Sequence, residues 1–197
     1  MLDKNDVSKR QLIIQAAAEI FSTRGYHTAK IEEIAQQAGI GKGTVYEYFQ
    51  SKEQLFRDTV KEGITIVDLA IQEQIAQETT TRGKLIAFAR KTIEIGQKYR
   101  FIAKLFIMDT SFMDHDFHEW LVERYGQSLK TIENIIRDGI AIKQLRPLDA
   151  ACFAQVLSGG IGTVAGPLSL VEITPQNEER IAAEIVDYFL QGISLER

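Results

Sequence analysis

The chain has 197 residues, a net charge of −4, 45% apolar residues, 3 prolines and 1 cysteine. That is apolar material for one large or two small cores; the lone Cys152 excludes an intrachain disulfide and, in its apolar run, reads as a buried small hydrophobe of a reducing cytoplasm. The charged start MLDKNDVSKR lacks a signal core and no apolar run approaches about 18 residues, so nothing is expected to span a membrane and a cytoplasmic location follows.

Apolar residues recur at three-to-four-residue spacing along most of the chain, which predicts an all-α protein of about nine helices. Ser8 to Gln11 has capping-box spacing and should open the first helix, whose apolar face is Ile13, Ala16, Ala17, Ile20 and Phe21 and whose end is Gly25. Thr28 is the expected N-cap of a second helix with the stripe Ile31, Ile34, Ala35 and Ala38, ended by Gly39. A short third helix follows over 41–48. Ser51 to Gln54 opens a long fourth helix to about Gln77, and Thr79-Thr80-Thr81 breaks the chain before a fifth from about Arg82 to Lys98. A short sixth is expected over Arg100–Asp109, and a seventh opens at the capping-box spacing of Asp116 to Glu119 and reaches about Leu145. Asp149 caps an eighth that Gly166-Pro167 should end, and Thr174-Pro175 begins a ninth carrying Ile181, Ile185, Phe189 and Ile193.

The third helix is the informative one. On a wheel of 100° per residue Val45 faces inward, Gly43 and Glu47 lie nearly opposite, Lys42 with Tyr46 flanks one side and Thr44 with Tyr48 the other. A helix so weakly buried, offering hydroxyl and ammonium donors outward, fits a recognition helix entering a major groove. Gly43 lets its backbone approach closely; Thr44, Tyr46 and Tyr48 suit phosphate oxygens, and Lys42 suits guanine O6/N7. The charge distribution agrees: residues 1–52 hold seven Lys/Arg against six Asp/Glu, so the acidic excess sits in the remainder. Lys9, Arg10, Lys30, Lys42 and Lys52 can supply a local basic face.

Ala17, Phe21, Gly25, Thr28, Ile34, Ala35, Ala38-Gly39, Lys42-Gly43-Thr44, Tyr46, Tyr48-Phe49, Ser51-Lys52-Glu53 and Leu55-Phe56 together resemble the DNA-binding domain of the TetR family of bacterial transcriptional regulators. Gly41 stands where that family often has a serine N-cap, a small departure. The resemblance implies a helix-turn-helix DNA-binding domain over 1–51, a helical ligand-binding and dimerisation domain over 52–197, a homodimer, and phosphate contacts from Thr28 and Lys52. It implies a regulator rather than an enzyme, reading as a repressor released from a palindromic operator by a ligand, and calls for no cofactor.

Two motifs in the second part compete with that reading. Gly160-Ile-Gly162-Thr-Val-Ala165 spells a dinucleotide fingerprint, but it lacks a preceding strand and any βαβ rhythm. Its small residues, with Ser158, Gly159, Thr163 and Gly166, better suit close helix packing, and the family resemblance places a dimer interface there through Gly159, Gly162, Thr163, Ile185 and Phe189. Asp114, His115, His118 and Glu119 have metal-like spacing, though a helix N-terminus rich in acids accounts for them and no metal site is assigned. The aromatics Phe88, Phe101, Phe106, Phe112, Phe117, Trp120, Tyr125 and Phe153 are candidate pocket lining for a small hydrophobic effector, with Arg90, Lys91 and Lys104 as handles for an acid group. A helical dimer that uses its helix-turn-helix for a protein partner, or a nucleotide- or metal-binding enzyme, are the alternatives.

Overall fold

A computed structural model describes residues 4–99 and 114–191, and these contain eight α-helices. They are numbered here consecutively: α1 (Lys4–Arg24), α2 (Ile31–Gln37), α3 (Lys42–Tyr48), α4 (Lys52–Ala76), α5 (Thr81–Lys98), α6 (His115–Ala141), α7 (Ala150–Ala165) and α8 (Glu178–Leu190). The short helix expected over 100–109 lies outside the described residues, as do Phe101, Lys104, Phe106, Phe112 and Ile193. Among the described residues no helix is long and apolar enough to cross a membrane.

The described chain divides into two compact units, 4–67 and 68–99 with 114–191, and the division falls inside α4. The first unit is built on Ile13, Ala17 and Phe21 of α1, Ile34 of α2, Val45 of α3, Phe49, and Leu55 and Phe56 of α4, all at most 1% exposed. Phe21 meets Phe56 edge-on at 5.2 Å, and Tyr26 packs against Phe56 at 4.9 Å, an arrangement that aromatic quadrupoles favour. Arg10 reaches from α1 to two acids one turn apart on α4, Asp58 at 3.2 Å and Glu62 at 3.4 Å, and its guanidinium lies 5.5 Å from the Phe49 ring.

The second unit packs α5 against α6, α7 and α8, with α7 also against α6 and α8. The buried stripe of α7 runs Ala150, Ala154, Leu157, Ile161 and Ala165, the spacing of one helical face. Cys152 falls on the opposite side of that stripe and is exposed, contrary to its expected burial. Gly139 of α6 faces the start of α5 at close range: a Cβ there would lie 2.7 Å from the Thr81 side chain. Arg82 of α5 makes a two-pronged pair with Asp187 of α8 at 2.7 and 2.8 Å.

Several helix ends differ from expectation. α1 begins at Lys4 rather than Ser8, so the Ser8–Gln11 spacing lies inside the helix. The N-cap of α2 is Lys30, not Thr28, and it is the Glu33 carboxylate that accepts from the Lys30 backbone N–H at 3.4 Å. Asp114 rather than Asp116 caps α6, accepting from the Phe117 backbone N–H at 2.8 Å. That helix stops at Ala141, four residues short of Leu145, where Lys143 turns left-handed (φ 61) and the Leu145 N–H returns to the Gly139 carbonyl. The ninth predicted helix starts at Glu178; Thr174-Pro175 instead forms a turn closed by the Asn177 side chain, which accepts from the Thr174 N–H at 2.8 Å. Ser51 and Asp149 do cap their helices: Ser51 Oγ accepts from Gln54 N–H, and the Asp149 carboxylate from the N–H groups of Ala151 and Cys152; within the expected break, Thr80 caps α5, its Oγ1 accepting from Gly83 N–H.

Candidate nucleic-acid interface

The turn between α2 and α3 fixes the site. Gly39 takes φ +70, where an L side chain would be strained. Around it the Gly39 N–H bonds to the Gln36 carbonyl and the Ile40 N–H to the Ala35 carbonyl, so the last turn of α2 is closed by paired bonds before the chain re-enters helix at Lys42. Gly41 precedes that entry as an N-cap with no side chain to contribute.

The seven residues of α3 are arranged as the wheel predicts. Val45 is 1% exposed and is the helix's one buried side chain; Thr44 and Tyr48 are half-buried; Lys42, Gly43, Tyr46 and Glu47 are exposed. Nothing lies within 4 Å of where a Gly43 Cβ would stand, so the backbone there is open to an approaching surface. The face thus carries a primary amine, a hydroxyl and a phenol around bare backbone, which are donors matched to phosphate and base-edge acceptors.

The flanking candidates behave differently. Thr28 is exposed two residues before the cap of α2. Lys52, the first residue of α4, donates to the His27 carbonyl at 3.2 Å and lies 4.7 Å from the Tyr26 ring centre. Partial burial there draws its amine below the ordinary lysine value. Lys52 therefore ties α4 to the α1–α2 turn as well as presenting charge.

Two ion pairs of this unit are not evident from the one-dimensional pattern. Glu32 accepts from Lys42 Nζ at 2.6 Å, and this bond raises the lysine above and lowers the carboxyl below its ordinary value. Glu33 holds Arg24 at 2.5 Å. The acids of α2 thus each engage a basic side chain of this unit. Lys42 Nζ also lies 5.7 Å from the Tyr46 ring centre.

Residues 13–59, which span this whole arrangement, match the family model of bacterial regulatory proteins of the TetR family. The fatty acid metabolism regulator protein of Bacillus subtilis is 26% identical over 154 residues, covering 78% of this chain and 79% of the relative. Residues 13–59 thus carry a TetR-family DNA-binding domain, and the chain as a whole is similar to bacterial transcriptional regulators. The fold of this regulator is similar to that of FadR from Bacillus subtilis in complex with stearoyl-CoA, with a TM-score of 0.72 at 22% identity, covering 93% of this chain and 98% of that one. It is also similar to AibR in complex with isovaleryl coenzyme A and operator DNA, with a TM-score of 0.66 at 18% identity over 92% and 98% of the two chains. The regulator is a DNA-binding protein and not an enzyme. The dinucleotide-like run lies wholly within α7 and its preceding residues are helical, so the strand that fingerprint needs is not there. Among the described residues no group of three or more metal-type ligands gathers; His115 faces Glu119 at 3.6 Å on one helix.

In the second unit the described candidate pocket residues differ in burial and partners. Phe88 and Phe117 are core, Phe117 stacking on Trp120 at 6.2 Å; Phe153 meets Phe189 edge-on at 6.0 Å; Tyr125 is 52% exposed. Of the expected acid handles, Arg90 bonds Gln74 and Glu179, and Lys91 pairs with Glu94. Two other polar atoms stand out: Gln97 Nε2 and Arg124 Nε are buried with no hydrogen-bond partner among the described residues, although Arg124 also holds Asp68 through Nη2. Of the candidate interface residues, Gly159, Gly162 and Thr163 are exposed on α7 beside Val156, whereas Ile185 is buried within the chain and Phe189 lies on Gly160.

Proposed function

We propose that this regulator is a homodimeric repressor that reads a near-palindromic operator through Lys42, Gly43, Thr44 and Tyr46, with Thr28, Tyr48 and Lys52 on flanking phosphates, and leaves it when an acyl-CoA binds the second unit. The observation that carries the DNA end is the α3 face: one anchor inward, and donors around open backbone outward. Two copies of that helix in successive major grooves require half-sites about 34–36 Å apart.

The effector class rests on what similar proteins hold: stearoyl-CoA in one and isovaleryl coenzyme A in another, ligands that share the thioester and nucleotide and differ in tail. The second unit adds support from its own chemistry. A buried donor without a partner costs about 1–3 kcal/mol, and Gln97 Nε2 and Arg124 Nε are two such donors that a ligand's carbonyl or phosphate oxygens would satisfy. A dimer through α7 is supported by the exposed, nearly side-chain-free stretch Gly159, Gly162 and Thr163, and by Tyr188 standing exposed on α8.

Selection from a random duplex pool, followed by affinity against salt for wild type and Tyr46→Ala, tests the DNA reading. A palindromic winner with a steep salt slope and a weakened variant is expected. Titrating short- and long-chain acyl-CoAs, free acids and free coenzyme A into the operator complex then tests the effector. Release by free acids alone, or by none of them, overturns the acyl-CoA assignment while leaving the DNA reading in place.

A further inference from the structure

Lys42 is the strongest direct base reader on α3, and it is already engaged. Its Nζ lies 2.6 Å from Glu32 Oε1, with the lysine side chain 50% and the glutamate side chain 58% exposed. Both groups are therefore reachable by a duplex laid on this face. The pairing spans the turn: Lys42 opens α3 and Glu32 is the second residue of α2, ten residues earlier in the chain. Glu33, the neighbouring acid, is engaged by Arg24.

We infer that Glu32 is the internal competitor of DNA for Lys42, so that this carboxylate sets how much the recognition helix contributes to operator affinity. The inference rests on the DNA-contact role proposed above for Lys42. A duplex that takes Lys42 must displace one anion with another, which returns little net attraction, and it leaves an unpaired carboxylate close to the phosphate backbone. The same exchange has an ionic signature. A free lysine that neutralises a phosphate releases a condensed counterion and steepens the salt dependence by about one unit of slope. A lysine drawn from Glu32 does not, because the bared carboxylate gathers a counterion in return. Glu32→Gln keeps the shape and a hydrogen-bonding oxygen while removing the charge.

The test uses the full chain and fluorescence anisotropy on a selected operator and on an unrelated duplex of equal length, from low to moderate salt, for wild type, Glu32→Gln, Lys42→Met and the double variant. At low salt Glu32→Gln should bind the operator about two- to fivefold more tightly, the range set by exposed ion pairs. Its salt slope should be steeper by about one. The loss caused by Lys42→Met should be larger in the Glu32→Gln background than in wild type. Equal or weaker binding by Glu32→Gln with an unchanged slope, in a protein that melts like wild type, overturns the inference. If wild type binds its operator and Tyr46→Ala weakens it while Glu32→Gln has no effect, only the inference falls. If wild type binds no duplex, the DNA reading falls with it.

Discussion

Val45→Ala is the most direct probe of how the reading head is held. Val45 is the one buried side chain of α3, at 1% exposure. Removing two methyl groups forfeits about 1.6 kcal/mol of transfer free energy, and a partly relaxed void brings the expected loss to about 2 kcal/mol. With no other buried anchor, that loss should fall on local opening of α3 as well as on global unfolding. The assay is native-state hydrogen exchange at the Phe49 amide, which donates to the Val45 carbonyl at 3.0 Å and reports the last turn of α3. Its protection should drop roughly 30-fold, the equivalent of about 2 kcal/mol. Operator affinity should fall by no more than the docked fraction lost. Tyr46→Ala is the converse control: Tyr46 is 46% exposed, so it should weaken DNA binding and leave Phe49 protection within about twofold. A change below about threefold in Phe49 protection for Val45→Ala would refute the single-anchor reasoning, and would mean that the backbone turn alone holds the helix.

Gly39→Ala places a side chain at φ +70 in open space, so its cost is conformational, about 1–2 kcal/mol by denaturant unfolding, and Gly39→Asn should cost less. Gly139→Ala puts a Cβ 2.7 Å from Thr81; overpacking of this kind costs about 1–3 kcal/mol, read as a lower melting temperature that Thr81→Ala in the same chain partly restores. Arg82→Ala removes the two-pronged contact to Asp187 and should cost no more than about 1 kcal/mol, less at high salt. The Arg82 hydrogen bonds hold the Asp187 carboxyl below its ordinary value. The pair's contribution is therefore fully present above the ordinary aspartate range and lost as pH falls through the lowered value, so the two proteins' stabilities should converge in acid. Exposed Cys152 should react rapidly with a maleimide when the protein is dilute and slow down with concentration if α7 is the dimer face; a rate independent of concentration counts against that face.

The reading helix was legible because its evidence is local. A short segment with one apolar side and donors elsewhere has few ways to pack, and Val45, Gly43, Thr44 and Tyr46 lie where a helical wheel puts them. Helix starts were less legible wherever several capping residues crowd together. Both Asp114 and Asp116 can cap, and sequence spacing alone does not tell that Asp114 is the one that accepts from the Phe117 N–H. Cys152 shows the limit of an apolar run: α7 is apolar on most sides, so hydrophobicity alone does not tell which face is inward, although the spacing of Ala150, Ala154, Leu157 and Ile161 does. Glu32 was hidden for another reason. Its partner is ten residues away across a turn, beyond the three-to-four-residue pairings a single helix reveals.

Arg10 and Lys52 hold α4 from opposite ends of α1. Arg10 grips Asp58 and Glu62, while Lys52 is fastened to the Tyr26–His27 turn just past the end of that helix. Two fastenings spaced along a helix act like a pair of screws rather than a hinge pin: they resist swivelling as well as sliding. Work done on this stretch of α4 is therefore delivered to α1 as displacement of a whole plate instead of being dissipated in a loose joint, and cutting either fastening should blunt transmission before it harms folding.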